Sequence, residues 1–411
     1  MLTDDSQFDL TIVGGGMVGA SLACALIDTG LRVAVLEAIA FDSANQPSFD
    51  ERTIALTYGS CRIFEGLGVW KQMLADGATA IERIHISDQG HFGSTVLDRT
   101  DAKVTALGYV VPARVLGGSL LARMQQADNI TYLCPANCEK INLGVESAQV
   151  ELSRPEKQQQ ITSRLLVLAD GGRSEVARDL GLVSQSTRYE QMAMVTTIGS
   201  DRDHGFTAYE RFTKSGPMAL LPNGEKSFAV VWTLYPDQAK AYLECDEQTF
   251  VSALQGNFGD RAGQFLNLGK RHLYPLSRGV MSNSTRSRLA VIGNAAHTLH
   301  PVAGQGFNLG LRDVAVLAQK IVDAYDSGID IGDSTLLNEY EKMRHKDVSR
   351  VSAFTHGLIS IFANEFGPLV TARNLGLFGI NMLPGLKRHL LEFSMGLNVS
   401  ATRLGLGQSL R

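Results

Sequence analysis

Apolar residues along this chain follow two rhythms. Residues 10–13, 31–36, 165–169 and 289–292 form short, nearly continuous apolar runs, the pattern of strands buried on both faces of a parallel sheet. Helical spacing follows: Ala20, Ala23 and Leu26 in one stretch; Leu309, Val314, Leu317, Ile321 and Tyr325 in another. Leu336, Tyr340, Met343, Val351, Phe354 and Leu358 share one face of a further long helix. Between residues 189 and 234 the helical rhythm nearly vanishes, and strands are expected at 192–198, 208–212, 218–221 and 227–234. Asn223-Gly224 there gives a tight hairpin signal. Alternation over 81–97 predicts another strand, 53–70 reads as helix-like, and 109–114 reads as a strand running into a helix at 116–124. A strand series is expected at 130–133, 139–143, 148–152 and 161–168, with the polar stretch 156–160 as a hairpin loop.

The first strand, helix and second strand enclose Gly14, Gly16 and Gly19 in the spacing G-x-G-x-x-G, and the second strand ends at Glu37. One such glycine permits a tight turn, one lets a pyrophosphate approach the backbone, and one lets helix and strand pack closely. The helix N-terminus offers free N–H groups to phosphate, and an acid about 20 residues on accepts from a ribose hydroxyl. The unit therefore predicts a dinucleotide site. Residues 10–27 carry no charge, but Asp4, Asp5 and Asp9 precede them and three glycines interrupt them, which argues against a secretion signal or a spanning helix.

A second glycine-rich segment follows the strand at 289–292: Gly293-Asn294, then His300-Pro301, then Gly304-Gln305-Gly306 opening a helix. No second strand–G-x-G-x-x-G–strand unit occurs, so a nicotinamide cofactor has no domain of its own. Asp170-Gly171 ends the buried strand at 165–169, where open α/β sheets place ligand contacts. Arg52 reads either as a solvated helix-start residue or as a contact to cofactor phosphate or ribityl groups, and Arg114 joins it as a candidate.

Composition narrows the class. Hydrophobic residues at 44% and charged residues at 19% suit a soluble globular chain of two or so domains in 411 residues. A net charge of −4 suggests no nucleic-acid partner. The five scattered cysteines suggest a reduced, cytoplasmic chain, and Cys134 and Cys138 lack the second pair a zinc site needs. The last 46 residues, from Phe366, are apolar and helical in texture, with Arg373, Lys387, Arg388, Arg403 and Arg411 against Glu392 alone. Such a tail suits peripheral contact with anionic lipid, and equally suits packing on the body or on a partner in a multi-enzyme complex.

With these segments in hand, the chain resembles the single-component FAD-dependent aromatic hydroxylases related to p-hydroxybenzoate hydroxylase. It is most similar to the ubiquinone-pathway group, in its 2-polyprenyl-6-methoxyphenol hydroxylase branch. The matching stretches are Phe49-Asp50-Glu51-Arg52-Thr53-Ile54-Ala55-Leu56, Glu210-Arg211-Phe212-Thr213, residues 216–222 and residues 299–310. Gly293-Asn294 stands where the wider family has Gly-Asp, a departure shared by the methoxyphenol branch. The resemblance implies an α/β fold: a Rossmann-like FAD-binding domain (1–75, 104–182, 270–330), an antiparallel-sheet substrate domain (76–103, 183–269) and a C-terminal helical region (331–411).

The resemblance also implies FAD at Gly14, Gly16, Gly19, Glu37, Arg52, Arg114, Asp170, Gly293, Asn294, Pro301, Gly304, Gly306, Phe307 and Asn308. NAD(P)H would be a transient co-substrate, with one atom of O2 inserted into a polyprenyl phenol. Backbone N–H groups at 304–308 would stabilise negative charge on the flavin ring. No general base is assigned, although His297 and His300 lie near the expected ring. A flavin reductase of an isoprenoid lipid and a non-catalytic flavin-binding scaffold remain as alternatives.

Overall fold

The computed structural model describes residues 6–40, 52–155, 157–172, 176–182, 184–298, 304–397 and 402–411. At its centre five parallel strands lie in the order Leu289–Val291, Lys157–Leu168, Gln7–Val13, Val33–Leu36, Ile130–Leu133. The continuous apolar runs have a simple cause: alternate residues of each strand feed different cores. Leu10, Ile12, Val33, Val35, Leu165 and Val167 pack under helices α1 (Met17–Ala25) and α2 (Gln305–Asp326). Val13, Ala34, Leu36, Leu166 and Leu168 face the other way, against Ile141, Val150, Leu152 and Leu182.

A second, largely antiparallel sheet runs His297–Thr298, His272–Met281, Ser184–Ser200, Ser227–Leu234, Gly216–Asn223, Thr207–Thr213, Arg83–Asp88, Ser94–Asp98. One phase of its strands (Met194, Met218, Leu220, Phe228, Val230, Trp232) is sealed by Phe250, Leu254 and Phe258 of a flanking helix. The opposite phase, with Ala208, Glu210, Phe212, Ala219, Leu221 and Val231, faces a cavity. A small sheet of Thr53–Thr57, Gly108–Pro112 and Thr79–Ile81 joins the two larger ones.

The chain closes with α3 (Ser334–Ala363), α4 (Gly367–Met382) and α5 (Pro384–Ser394). Helix α4 is fixed to the second sheet by polar contacts about two turns apart. Arg373 and Asn374 hold Asp88 at 2.8 and 2.9 Å, and Asn381 accepts from Thr95 Oγ1 at 2.8 Å. Of the tail cations, Arg373, Lys387, Arg388 and Arg411 pair with Asp88, Asp101, Glu392 and Asp326. The tail is therefore largely neutralised by the protein itself, leaving apolar side chains as its outward feature.

Three local expectations differ. Residues 53–57 form a strand before the helix Tyr58–Gly66, because they pair with Gly108–Pro112. The alternation at 81–97 is split by a turn at Gln89-Gly90 into Arg83–Asp88 and Ser94–Asp98. The polar residues 157–160 are strand, paired to Glu151–Arg154, so the hairpin is tighter than its composition suggests. None of the five cysteines forms a disulfide; Cys24 is buried in α1 with its thiol 3.5 Å from the Leu120 carbonyl.

Candidate active site

The first glycine loop is shaped by contacts that leave no room for side chains. Gly14 has φ +104°, and a Cβ on it would lie 2.6 Å from the Ala169 carbonyl oxygen; a Cβ on Gly19 would collide with the Gly14 carbonyl oxygen. Gly16 begins α1 without a side-chain cap and with no acidic residue in the first turn, so orphan N–H groups face outward. Glu37 is buried at 8% exposure and accepts from Gly15 N–H at Oε2 and from Ile39 N–H at Oε1, both at 2.9 Å. It thus braces the loop while keeping further lone pairs for a hydroxyl donor.

Neighbouring strand ends bring the other predicted segments here. A Cβ on Gly14 would lie 2.7 Å from Asp170 Cα, and one on Gly172 would lie 3.7 Å from the Asn294 carbonyl oxygen. Asp170 Oδ1 accepts from Gly172 N–H at 2.9 Å, closing the turn. Gly293 packs on Val18 of α1. Asp170, Gly293 and Asn294 therefore sit beside the glycine loop. Arg52 places its guanidinium 5.4 Å from the Tyr274 ring centroid, and its carbonyl accepts from Ala113 N–H, next to the exposed Arg114. Pro301 and His300 lie outside the described residues.

The start of α2 is a second uncapped helix N-terminus. Gly304, at φ +61°, is its cap, with no side-chain bond and no acid in the first turn. A Cβ on Gly304 would press on Ala55 at 3.1 Å, whereas one on Gly306 would meet open space. Phe307 stacks on Phe64 at 6.4 Å. Asn308 is fully buried: its Nδ2 donates to the Ala55 and Gly304 carbonyls, and its Oδ1 accepts from Thr57 N–H and Ser60 Oγ. Its side chain locks α2 to the strand Thr53–Thr57 and has no capacity left for a ligand; only its backbone can face one.

Behind this start lies a buried ion network that sequence reasoning missed. Asp313 Oδ2 accepts from Gly293 N–H at 2.9 Å and bonds His297 Nε2 at 2.6 Å, while Oδ1 accepts from Arg344 Nε at 2.7 Å. Arg344 also reaches Asp347 at 2.6 Å, which binds Arg312 at 3.0 Å, and Arg312 donates to Gln305. Burial favours the acid form of Asp313, but the charges of His297 and Arg344 outweigh it and hold the carboxyl down at about 2. His297 is thus committed to Asp313.

The Gly304–Phe307 backbone opens on a cavity of about 670 Å³. Its walls are overwhelmingly apolar: Ile84, Ile86 and Leu97 from the second sheet, Phe354 and Phe362 from α3, Leu377 and Ile380 from α4. Phe212 and Phe362 stack at 3.7 Å across the join. Asn294 and Thr298 line the same space. Within the sheet wall stands Glu210, whose buried Oε1 has no hydrogen-bond partner among the described residues. The signal was available: Glu210 falls in phase with Ala208 and Phe212. Among the described residues no cluster of His, Cys, Asp and Glu is arranged to hold a metal.

Residues 7–355 match the FAD binding domain family. The chain is 34% identical over 393 residues to ubiquinone hydroxylase UbiL of Rhodospirillum rubrum, covering 95% of this chain and 90% of that protein. It is 30% identical over 392 residues to the 3-demethoxyubiquinol 3-hydroxylase of Escherichia coli, covering 95% and 98%. The crystal structure of p-nitrophenol 4-monooxygenase PnpA from Pseudomonas putida DLL-E4 shares the fold, with a TM-score of 0.80 over 97% of this chain and 100% of that one, at 17% identity.

Proposed function

Because the chain belongs to the FAD-binding family of flavin monooxygenases, among the hydroxylases of ubiquinone biosynthesis, we propose that it hydroxylates a polyprenyl phenol of the 2-polyprenyl-6-methoxyphenol type. The observation that carries this reading is the apolar cavity of about 670 Å³ set against an uncapped, glycine-opened helix start. An aromatic ring bearing an isoprenoid chain matches such a lining, which offers few polar partners to a hydrophilic substrate.

The residues present fit FAD. Gly14 and Gly19 stand where side chains would collide with backbone, Gly16 caps α1 without a side chain, and the N–H groups of α1 suit a pyrophosphate. Glu37 would take a ribose hydroxyl, with Asp170, Gly293 and Asn294 beside the linking chain and Arg52 and Arg114 at its edge. The chemistry FAD supplies when bound is passage of electrons from NAD(P)H to O2 and delivery of one oxygen atom to the ring. The protein's own part is to orient, to exclude water and to stabilise charge. The N–H groups that open α2, from Gly304 to Phe307, would stabilise an anionic ring edge, and Asp313 holds Gly293 and Arg344 in register behind them.

Helix α4 supports a lipid substrate from outside. Leu377 and Ile380 face the cavity, while Leu375, Phe378 and Met382 on the other side are exposed, continuing into Leu383. One helix thus separates the cavity from an apolar outer face suited to a bilayer surface. Among the described residues no helix is long and apolar enough to cross a membrane.

The test is turnover of FAD-loaded protein with NADH or NADPH, O2 and 2-farnesyl-6-methoxyphenol. Oxygen uptake matched by a product one oxygen atom heavier supports the reading. Nicotinamide oxidation that yields only H2O2, or no turnover, overturns it.

A further inference from the structure

The cavity wall formed by the second sheet is apolar at every position around Glu210. On its own strand Ala208 and Phe212 flank it, Ile86 lies opposite on one neighbouring strand and Ala219 on the other, and Val231 stands one strand further. No charged group faces it from these elements. Asp88, on the adjoining strand, is already taken by Arg373 and Asn374. Arg211 spends its guanidinium on the Asn257 carbonyl and Ser87. His389 of α5 lines the cavity and is exposed.

A carboxyl buried this way has no structural benefit to offer. Burying an unpaired polar oxygen costs free energy, and an apolar residue there would pack as well as Ala208 or Ile86 do. The group is therefore best explained by a partner that the cavity admits. Burial also moves its acid up to about 7, where a group can both take and return a proton near neutral pH.

We propose that Glu210 is the general base that accepts the hydroxyl proton of the phenol bound in this cavity. This rests on the hydroxylase reading above. In the step, the phenol O–H bond breaks, the proton joins the Glu210 carboxylate, and the electron pair stays on the phenolate oxygen. Electron density rises at the ring carbons ortho and para to that oxygen, which are the positions an electrophilic oxygen attacks. Nothing is oxidised or reduced in this step. After oxygen transfer the acid returns its proton to the same oxygen, while the attacked carbon releases its hydrogen to solvent as a proton and the ring regains aromaticity.

The experiment compares wild type, Glu210→Gln and Glu210→Ala, all loaded with FAD. The probes are 2-farnesyl-6-methoxyphenol and a ring-fluorinated counterpart whose hydroxyl is more acidic. Glu210→Gln is expected to keep its flavin and to lose about 100-fold or more in the rate of hydroxylation, the scale of a missing general base. Its deficit should shrink with the fluorinated phenol, which needs less help to ionise. The wild-type rate should rise with pH through about 7, and that limb should be absent in the variant. Acetate should partly restore Glu210→Ala, which keeps the result readable if the glutamine variant folds poorly. A merely structural role would move thermal stability or flavin content without any dependence on phenol acidity. Glu210→Gln with the wild-type rate and pH profile overturns the assignment while leaving the hydroxylase intact. A wild type that forms only H2O2 overturns the hydroxylase reading, and this assignment with it.

Discussion

Arg344 donates from Nε to Asp313 Oδ1 across 2.7 Å, tying α3 to the residue that also holds the Gly293 N–H. The contact makes a charge pair buried in the core responsible for the shape of the loop at the candidate flavin site. The carboxyl of Asp313 is held at about 2, below its ordinary 3.8. Its contribution to stability is therefore fully present above about 3.8 and is lost as pH falls through about 2. At neutral pH, Asp313→Asn should cost roughly 3–5 kcal/mol, because it leaves buried cations with one partner fewer. Urea unfolding of the variant measures this, and a cost below ~1 kcal/mol would show that the network relaxes around the change.

Asn308 joins strand and helix through four hydrogen bonds, two given and two accepted. Asn308→Ala should destabilise the fold by roughly 1–3 kcal/mol for each buried group left unpaired, the Thr57 N–H above all. Flavin affinity should fall with it, since Gly304 loses its tether. Chemical denaturation and flavin titration on the same preparation separate the two effects.

The glycine loop predicts a colour. Gly19→Ala and Gly16→Val should give protein without yellow flavin absorbance, the first because its Cβ meets the Gly14 carbonyl oxygen. Glu37→Ala should weaken FAD by about 1–3 kcal/mol through the lost charged hydrogen bond. A flavin dissociation constant equal to wild type would remove Glu37 from the cofactor contacts.

Glu210 should carry a stability signature of opposite sign to that of Asp313. Its acid is raised from 4.5 to about 7, so the folded state prefers the neutral form. Stability is fully retained below about 4.5 and lost as pH rises through about 7. Glu210→Gln should therefore match wild type near pH 4 and exceed it near pH 8, by on the order of 1–3 kcal/mol. Thermal melts at the two pH values test the crossover.

The outer face of α4 makes a further prediction. Phe378→Glu with Met382→Glu should reduce binding to phospholipid vesicles, because two exposed apolar side chains at 52% and 68% exposure become charged. Since four of the tail's cations already pair with the protein, wild-type binding should change little between low and high salt. Flotation with neutral and anionic vesicles reads both effects; a strong anionic preference would contradict the neutralised tail.

The opening strand, glycine loop, helix and second strand were legible because local chemistry dictates them: Gly19 is required by a contact with nearby Gly14, and Gly14 by one at the next strand end. Gly304 is required by its own left-handed backbone conformation, at φ +61°. What stayed hidden depends on partners far along the chain. Asp313, Arg344 and Asp347 look like ordinary solvated helix positions until α2 and α3 are packed together. Asn308 could be seen as a helix-start residue, but its commitment to Thr57 and Ser60, about 250 positions away, could not. Residues 53–57 became a strand only because Gly108–Pro112 supplies the pairing partner. Glu210 belonged to a visible alternation, yet which phase faces the cavity is decided by the flanking helices.

The buried and half-buried cysteines bear on how long such a protein survives its own work. FAD bound at the site would bring oxygen chemistry, of which peroxide is a by-product, close to the protein's own thiols. Peroxide attacks thiolates, hardly thiols at all. Burial pushes Cys24 and Cys138 up to about 12 and holds Cys61 well above its usual 9.0. At neutral pH these three sulfurs stay protonated and chemically quiet. The packing on both faces of the parallel sheet thereby also serves as a shield against self-inflicted oxidation.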